Sequence, residues 1–351
     1  MRFVYEAGLP RVVFGAGSFA SLPKEIDRLS TKRILIVATP GRSTIVERAT
    51  QLLGDRVAGT FDEAVVHVPE AVAARAIIAA AMAGADLILS IGGGSAIGVS
   101  KAIAMATNLS ILAVPTTYSG SEMTPLWGLT RHGAKHTGRD PRVQPRTVIY
   151  DPELTLDLSA SVSSASGMNA IAHCVEALYA PDANPVTTWM SEEGIRALGE
   201  SLPLIVASQR DIDARTRALY GAWLAGAALA SVQMGLHHKL CHALGGSFDL
   251  PHAETHAVLL PYTVEFNASA TGDAMSRVAR ALNATNAPVA LYDLCRRLPI
   301  PRSLAQIGMR EADLDRAATL AMEQTYPNPR PVTRDGVLTV LRKAFAGASL
   351  D

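Results

Sequence analysis

Residues 235–256, GLHHKLCHALGGSFDLPHAETH, hold five of the chain's nine histidines. His238 and His242 are four apart, so on a helix they share one face. Gly245-Gly246 is expected to break that helix, and Pro251-His252 returns another imidazole after a short turn. The spacing is H-x3-H-x9-H. Imidazole can hold a metal, move a proton or stabilise an anion near neutral pH. Asn169 and His173 repeat the four-residue rule on an earlier stretch, so Asn169, His173, His238 and His252 form a candidate four-point cage. Three imidazoles and a carboxylate would bind a divalent cation well. Here the fourth member is an amide, which gives up the Coulomb attraction of an acid. HAETH at 252–256 is not the HExxH of zinc proteases, because Glu254 stands one place late. A lone histidine on an Ala/Leu-rich helix is ordinarily a satisfied core residue; a cluster at this spacing points to chemistry.

A second group of residues suits phosphate. The run LILSI at 87–91 leads straight into Gly92-Gly93-Gly94-Ser95 and a helix over 96–106. Strand, glycines, helix lets backbone N–H groups meet a pyrophosphate at a helix N-terminus. A strand at 111–114 runs into PTTYSGSE, where Thr116, Thr117 and Ser119 are candidate cofactor contacts. At the tip of RILIVA (33–38) stands Thr39, where an acidic residue would grip an adenosine ribose and repel a 2′-phosphate. Thr39 is small and neutral, which leaves both NADH and NADPH open. GAGSFA at 15–20 is G-x-G-x-x-A, but no acid closes a following strand at the right distance, so it reads as a turn before a helix at 21–29.

These residues need a scaffold. Strands at 11–15, 33–38, 64–68, 87–91, 111–114 and 147–150 alternate with helices that include one after Gly41 through about Leu53 and those at 72–83 and 96–106, which indicates an open, mostly parallel Rossmann-like α/β sheet. Residues 131–140 form a polar cationic loop or hairpin with Arg131, Lys135 and Arg139. Asp151-Pro152 marks the expected domain boundary, giving an α/β nucleotide domain over 1–152 and an all-α catalytic domain over 153–351. In the second part helices are expected at 166–180, 187–210, 213–232, 236–244, 253–267, 288–297, 311–324 and 335–346, with Asp213 and Asp335 as N-caps. The site is then expected in a cleft between the two domains.

Composition narrows the class. The chain has 351 residues, 48% of them hydrophobic, with Lys+Arg and Asp+Glu balanced at 32 each. Nothing points to nucleic acid or an anionic membrane surface. Three cysteines, Cys174, Cys241 and Cys295, show no pairing pattern and suggest a reducing compartment. No signal peptide or membrane-length apolar run is present, so a cytoplasmic enzyme is expected.

Together, GGGS after a strand, PTT followed by GSE, N-A-x-x-H at 169–173 and H-x3-H-x9-H at 238–252 resemble the iron-type (group III) alcohol dehydrogenase family. The likeness runs through the carboxyl-terminal YPNPRPV. It implies a Rossmann-like amino domain, a helical carboxyl domain and NAD(P). By motif, Asn169 occupies the position of the family's metal-binding Asp, and His173, His238 and His252 its three His positions. His242 corresponds to a further histidine near the nicotinamide. Several departures point to one branch: Asn169 itself, Gly98 where many members have Asp (with Lys101 kept), the shortened PTTYSGSEMTP, GLTRHGAKHTGRD and VIYDPELT. That branch reduces the carbon–carbon double bond of maleylacetate to 3-oxoadipate in aromatic-compound degradation. The resemblance therefore implies NADH or NADPH, no metal, a small dicarboxylate substrate and a homodimer. Lys239, Tyr118 and Lys135 are candidates for binding the substrate, its two carboxylates needing cations or N–H groups. A metal-dependent alcohol or aldehyde dehydrogenase whose cage tolerates Asn169 is the alternative. A metal-sensing or nucleotide-binding regulator would want a basic patch or DNA-reading module, and neither is present.

Overall fold

The computed structural model describes residues 3–6, 8–131, 134–323 and 325–350. The chain divides into two compact units, one of Gly8–Asp157 and one that starts at Leu158 and includes the segment before Gly8.

In the first unit, six strands among the described residues form one parallel sheet. They are β1 (Arg11–Phe14), β2 (Ile34–Ala38), β3 (Val57–Phe61), β4 (Leu87–Gly92), β5 (Ser110–Pro115) and β8 (Thr147–Tyr150), in the order β1-β8-β5-β4-β2-β3. Every position of β2, β4 and β8 is buried. That is the pattern of a parallel sheet covered on both faces. Helices α1 (Leu22–Arg28) and α2 (Ser43–Leu53) supply Leu22, Ile26, Ala49 and Leu53 to the core on one face. Helices α3 (Glu70–Met82) and α4 (Gly94–Thr107) supply Ala73, Ala76, Val99 and Ile103 to the other. β6 (Leu126–Arg131) and β7 (Ala134–Arg139) form an antiparallel hairpin. His132 and Gly133, part of the expected polar loop, lie outside the described residues.

One strand differs from expectation. The edge strand is Val57–Phe61, and 64–68 is an irregular segment in which His67 and Val68 carry positive φ values of 61° and 47°. The apolar AVVHV run imitates a strand, but Val66 is solvent-exposed. VAGTF carries glycine and small residues that weaken its strand signal.

The second unit is helical: α5 (Ala160–Leu178), α6 (Pro185–Ala207), α7 (Ile212–Ser231), α8 (Leu236–Phe248), α9 (His252–Asn267), α10 (Gly272–Ala281), α11 (Ala287–Arg297), α12 (Leu314–Met322) and α13 (Arg334–Ala346). Helix α5 is buried from Ser163 to Leu178 and packs against α6, α7 and α9. No single helix among the described residues is long and apolar enough to cross a membrane.

Gly245-Gly246 does not break α8, which runs on to Phe248 and ends at Asp249 in the left-handed region. Each helical glycine costs about 1 kcal/mol relative to alanine. Leu236, Leu240 and Leu244 pack against Val258, Leu259 and Tyr262 of α9, and that burial carries the helix through. The caps also shift. Asp211 rather than Asp213 caps α7, and Thr333 rather than Asp335 caps α13. Sequence patterning missed α10, whose buried face is Ala274, Val278 and Ala281, residues too small to signal a core helix. Glu311–Asp313 is a 3-10 turn, and α12 starts only at Leu314.

Candidate active site

Two groups of predicted site residues sit on separate units. In the first unit, β4 ends at Gly92 and α4 begins at Gly94, with no side chain capping the helix. A Cβ on Gly93 would stand 2.7 Å from Thr117 Oγ1, so only glycine lets the turn lie against the threonine loop. A Cβ on Gly92 would meet Ala96 at 2.9 Å, with Thr39 at 3.7 Å. Gly92, Gly93, Gly94, Ser95, Thr39 and Thr117 are thus neighbours at the carboxyl ends of β2, β4 and β5, where open α/β sheets bind ligands.

A buried lysine stiffens this edge. Lys101 Nζ donates to the carbonyls of Ser121, Thr124 and Leu126 at 2.8, 2.9 and 2.6 Å, and also reaches two hydroxyls. Burial pulls its pKa down to about 7, against the pull of Glu122. Thr116 is buried with its hydroxyl unpartnered. Ser119 Oγ donates to Glu122 at 3.1 Å. Tyr118 is fully buried in the core, and Lys135 is half-buried on β7. The GAGSFA segment has its own anion: Asp151 accepts from the backbone N–H groups of Gly17 (3.1 Å) and Phe19 (2.9 Å), which agrees with a turn rather than a phosphate cradle.

In the second unit, α5, α8 and α9 bring the histidines together. Asn169 and His173 lie on α5, His238 and His242 on α8, and His252 opens α9 just after Pro251. Asn169 Nδ2 is 3.3 Å from His173 Nε2, and His173 Nδ1 is 2.7 Å from His238 Nε2. His238 Nδ1 lies 2.5 Å from Glu176 Oε2. Glu176 is fully buried and also accepts from the backbone N–H groups of Gly235, His237 and His238. It therefore occupies the N-terminus of α8, where a negative charge is favoured. A Cβ on Gly235 would come within 3.0 Å of Glu176 Oε1, so the chain needs glycine there to admit the carboxylate.

The proton positions follow from this chain of bonds. Burial pushes the Glu176 carboxyl up, but the donors from His238 and His237 outweigh it and hold the pKa below the ordinary value. An ionised carboxylate only accepts, so His238 Nδ1–H donates to it. In a neutral ring His238 Nε2 then accepts from His173 Nδ1–H, and His173 Nε2 accepts from the Asn169 amide. Every link points the same way, from Asn169 to Glu176, and Asn169 Oδ1 is left buried without a partner.

The remaining imidazoles form a second layer. His237 Nδ1 lies 2.9 Å from Thr263 Oγ1, and His237 Nε2 lies 3.0 Å from His256 Nδ1. His256 stands edge-on to His252 and His238, with ring centroids 4.5 and 4.9 Å away. Burial depresses the pKa of both: His237 to about 3, and His256 well below its ordinary value, with its neighbouring histidines adding to the effect. His173, His237, His238 and His256 are buried, whereas His242 and His252 are half-buried with nearly parallel rings 6.4 Å apart. Lys239 is also half-buried, and burial lowers its pKa. Cys174 and Cys241 are buried; burial raises the pKa of Cys174, which keeps that thiol protonated.

The quartet Asn169, His173, His238 and His252, as arranged, does not fit a resident iron ion. It holds no carboxylate, so no ligand charge offsets that of the cation. His173 Nδ1 and His238 Nε2 are 2.7 Å apart and hydrogen-bonded to each other. Glu176, His237 and His256 were not singled out from sequence. The signal for Glu176 was its place three residues after His173 on the same helix face, and for His237 its adjacency to His238.

Comparison with known proteins places the chain in a family. Residues 10–152 match the family model for iron-containing alcohol dehydrogenase, and residues 163–345 match that for the Fe-containing alcohol dehydrogenase family, C-terminal. The maleylacetate reductase of Burkholderia cepacia is 52% identical, with 98% of each chain covered. A crystal structure of a putative alcohol dehydrogenase from Ralstonia eutropha superposes with a TM-score of 0.98 at 51% identity, over all of both chains. That of maleylacetate reductase from Agrobacterium tumefaciens gives 0.94 at 46% identity, again over all of both chains. With a parallel α/β unit, a helical unit and both halves of the family signature in order, this chain belongs to the iron-containing alcohol dehydrogenase family.

Proposed function

We propose that this enzyme reduces the carbon–carbon double bond of maleylacetate to 3-oxoadipate, with NADH or NADPH as reductant and without a metal. The observation that carries the reading is the amide Asn169 in place of an acid, hydrogen-bonded in a run Asn169–His173–His238–Glu176 whose first three members stand, by motif, at ligand positions of the family. Full-length identity to maleylacetate reductases supports the choice of substrate.

A nicotinamide held by the first unit would supply a hydride to the alkene carbon β to the ketone. The electron pair of the double bond moves toward the ketone, so charge collects on the carbonyl oxygen as an enolate. A simple ketone reduction places full charge on an alkoxide, where a Lewis acid helps most. An enolate spreads its charge and can be held by pre-placed hydrogen-bond donors. His238 has both nitrogens engaged, so it orients its neighbours instead of touching substrate. His252 and His242 are half-buried and are assigned to meet the ligand. His252 donates to the enolate oxygen, and His242 delivers a proton to the α carbon. Lys239 pairs with a substrate carboxylate. In the first unit the α4 N-terminus and its glycines would hold the pyrophosphate, and Thr39, Thr116, Thr117 and Ser119 would line the cofactor.

Incubating the protein with reduced nicotinamide and maleylacetate and following the nicotinamide absorbance tests this reading. Stoichiometric oxidation with formation of 3-oxoadipate is expected. Oxidation with simple aldehydes but not with maleylacetate would transfer the assignment to an alcohol dehydrogenase.

A further inference from the structure

We infer that His237, Cys241 and His256 form a site for one thiophilic divalent cation such as Zn2+, distinct from the quartet that the family uses for iron. The inference stands independently of the substrate proposed above. The ligand atoms of these three buried side chains all lie within 4.8 Å of one another, and among the described residues this is the group so arranged. His237 Nε2 is 3.7 Å from Cys241 Sγ and 3.0 Å from His256 Nδ1. Around a tetrahedral ion with Zn–N near 2.1 Å and Zn–S near 2.3 Å, such edges run about 3.4 to 3.6 Å. The imidazole pair must open by a few tenths of an ångström, while Cys241 and His256 have ligand atoms within 4.8 Å of each other.

The second shell is already in place. Thr263 Oγ1 donates to the carbonyl of Leu259 or Leu260, so toward His237 it can only accept, and it fixes the proton on Nδ1. The lone pair of His237 Nε2 therefore points at Cys241 and His256. A metal-bound imidazole has this same arrangement, with its far N–H held by an oxygen acceptor. His256 Nε2 is buried with no hydrogen-bond partner, which leaves room for a proton there. On binding, the proton between His237 and His256 passes to His256 Nε2, and Cys241 releases its thiol proton to solvent. One proton leaves per cation, and the thiolate supplies a negative charge that the Asn169 quartet lacks. Two imidazoles and a thiolate select a softer ion than oxygen ligands would. The ion would tie α8 to α9 through ligands on both.

The test uses the full chain, stripped with chelator, dialysed against Zn2+ and washed. About one zinc per chain should remain. Cys241→Ser should lose it, and Thr263→Val, which removes the oxygen behind His237, should weaken zinc binding by about tenfold to a hundredfold. Co2+ loaded into the unaltered protein should show an intense near-ultraviolet sulfur-to-cobalt band, a readout that needs no variant to fold. No metal retained, metal retained equally by folded Cys241→Ser, or bound cobalt without the sulfur band would each overturn the assignment.

Discussion

The carboxylate of Glu176 receives the ring N–H of His238 at 2.5 Å and, in the same place, the first backbone N–H groups of the helix that carries that histidine. One buried acid thus fixes where α8 starts, how the His238 ring is turned and which of its nitrogens is protonated. That nitrogen in turn sets the proton on His173. Glu176→Gln keeps the shape but weakens the charge-assisted bonds, each worth about 1.5–3 kcal/mol. Turnover should fall about tenfold to a hundredfold while reduced-nicotinamide affinity, which we assign to the first unit, stays unchanged. A parallel loss of cofactor affinity would point to general unfolding instead.

His242 and His252 are the half-buried members of the cluster and are assigned the proton and the enolate oxygen. His242→Ala should lower kcat at least about a hundredfold. A near-normal rate in the folded variant removes His242 from the mechanism.

Thr39 leaves the tip of β2 without a negative charge. If position 39 faces the ribose as proposed, Thr39→Asp would bond its 2′-hydroxyl and repel a 2′-phosphate. NADPH-dependent activity should drop at least about tenfold, with NADH-dependent activity retained. Equal losses with both reductants would separate Thr39 from the ribose.

Burial keeps His237 and His256 neutral, His237 down to about pH 3. In the unfolded chain a histidine takes up a proton near 6.5, so below that pH the unfolded state binds protons the native state refuses. The stabilising contribution is complete above 6.5 and is lost progressively as pH falls toward 3. Each such histidine removes up to about 1.4 kcal/mol per pH unit in that window. Urea midpoints should therefore decline from pH 7 to pH 5, and less steeply in a His237→Asn variant. A flat profile would mean that these rings are charged or solvated in the native state.

Much of the scaffold was readable because its signals are local. β2, β4, β5 and β8 are short apolar runs, and the glycines after β4 mark a turn that no side chain could share with Thr117. β3 was missed because VAGTF is poor in bulky residues, while AVVHV at 64–68 offered a better strand pattern in a segment with left-handed residues. Gly245-Gly246 read as a stop, but tertiary burial of Leu240 and Leu244 overrode it. In the site, Asn169, His173, His238, His242 and His252 stood out by spacing. Glu176 did not, because a single acid on a helix usually faces solvent and its partner His238 is 62 residues away. Likewise Thr263 became visible only once α9 folded against His237.

The central claim is that imidazoles linked through Asn169 and Glu176 replace the ion at the family's metal position. Its most direct test is turnover of maleylacetate by protein dialysed against a strong chelator, with residual metal counted in the same sample. The account predicts undiminished activity at far less than one metal per chain. Activity that disappears on dialysis and returns on adding Fe2+, in unaltered protein and in Cys241→Ser alike, would contradict it.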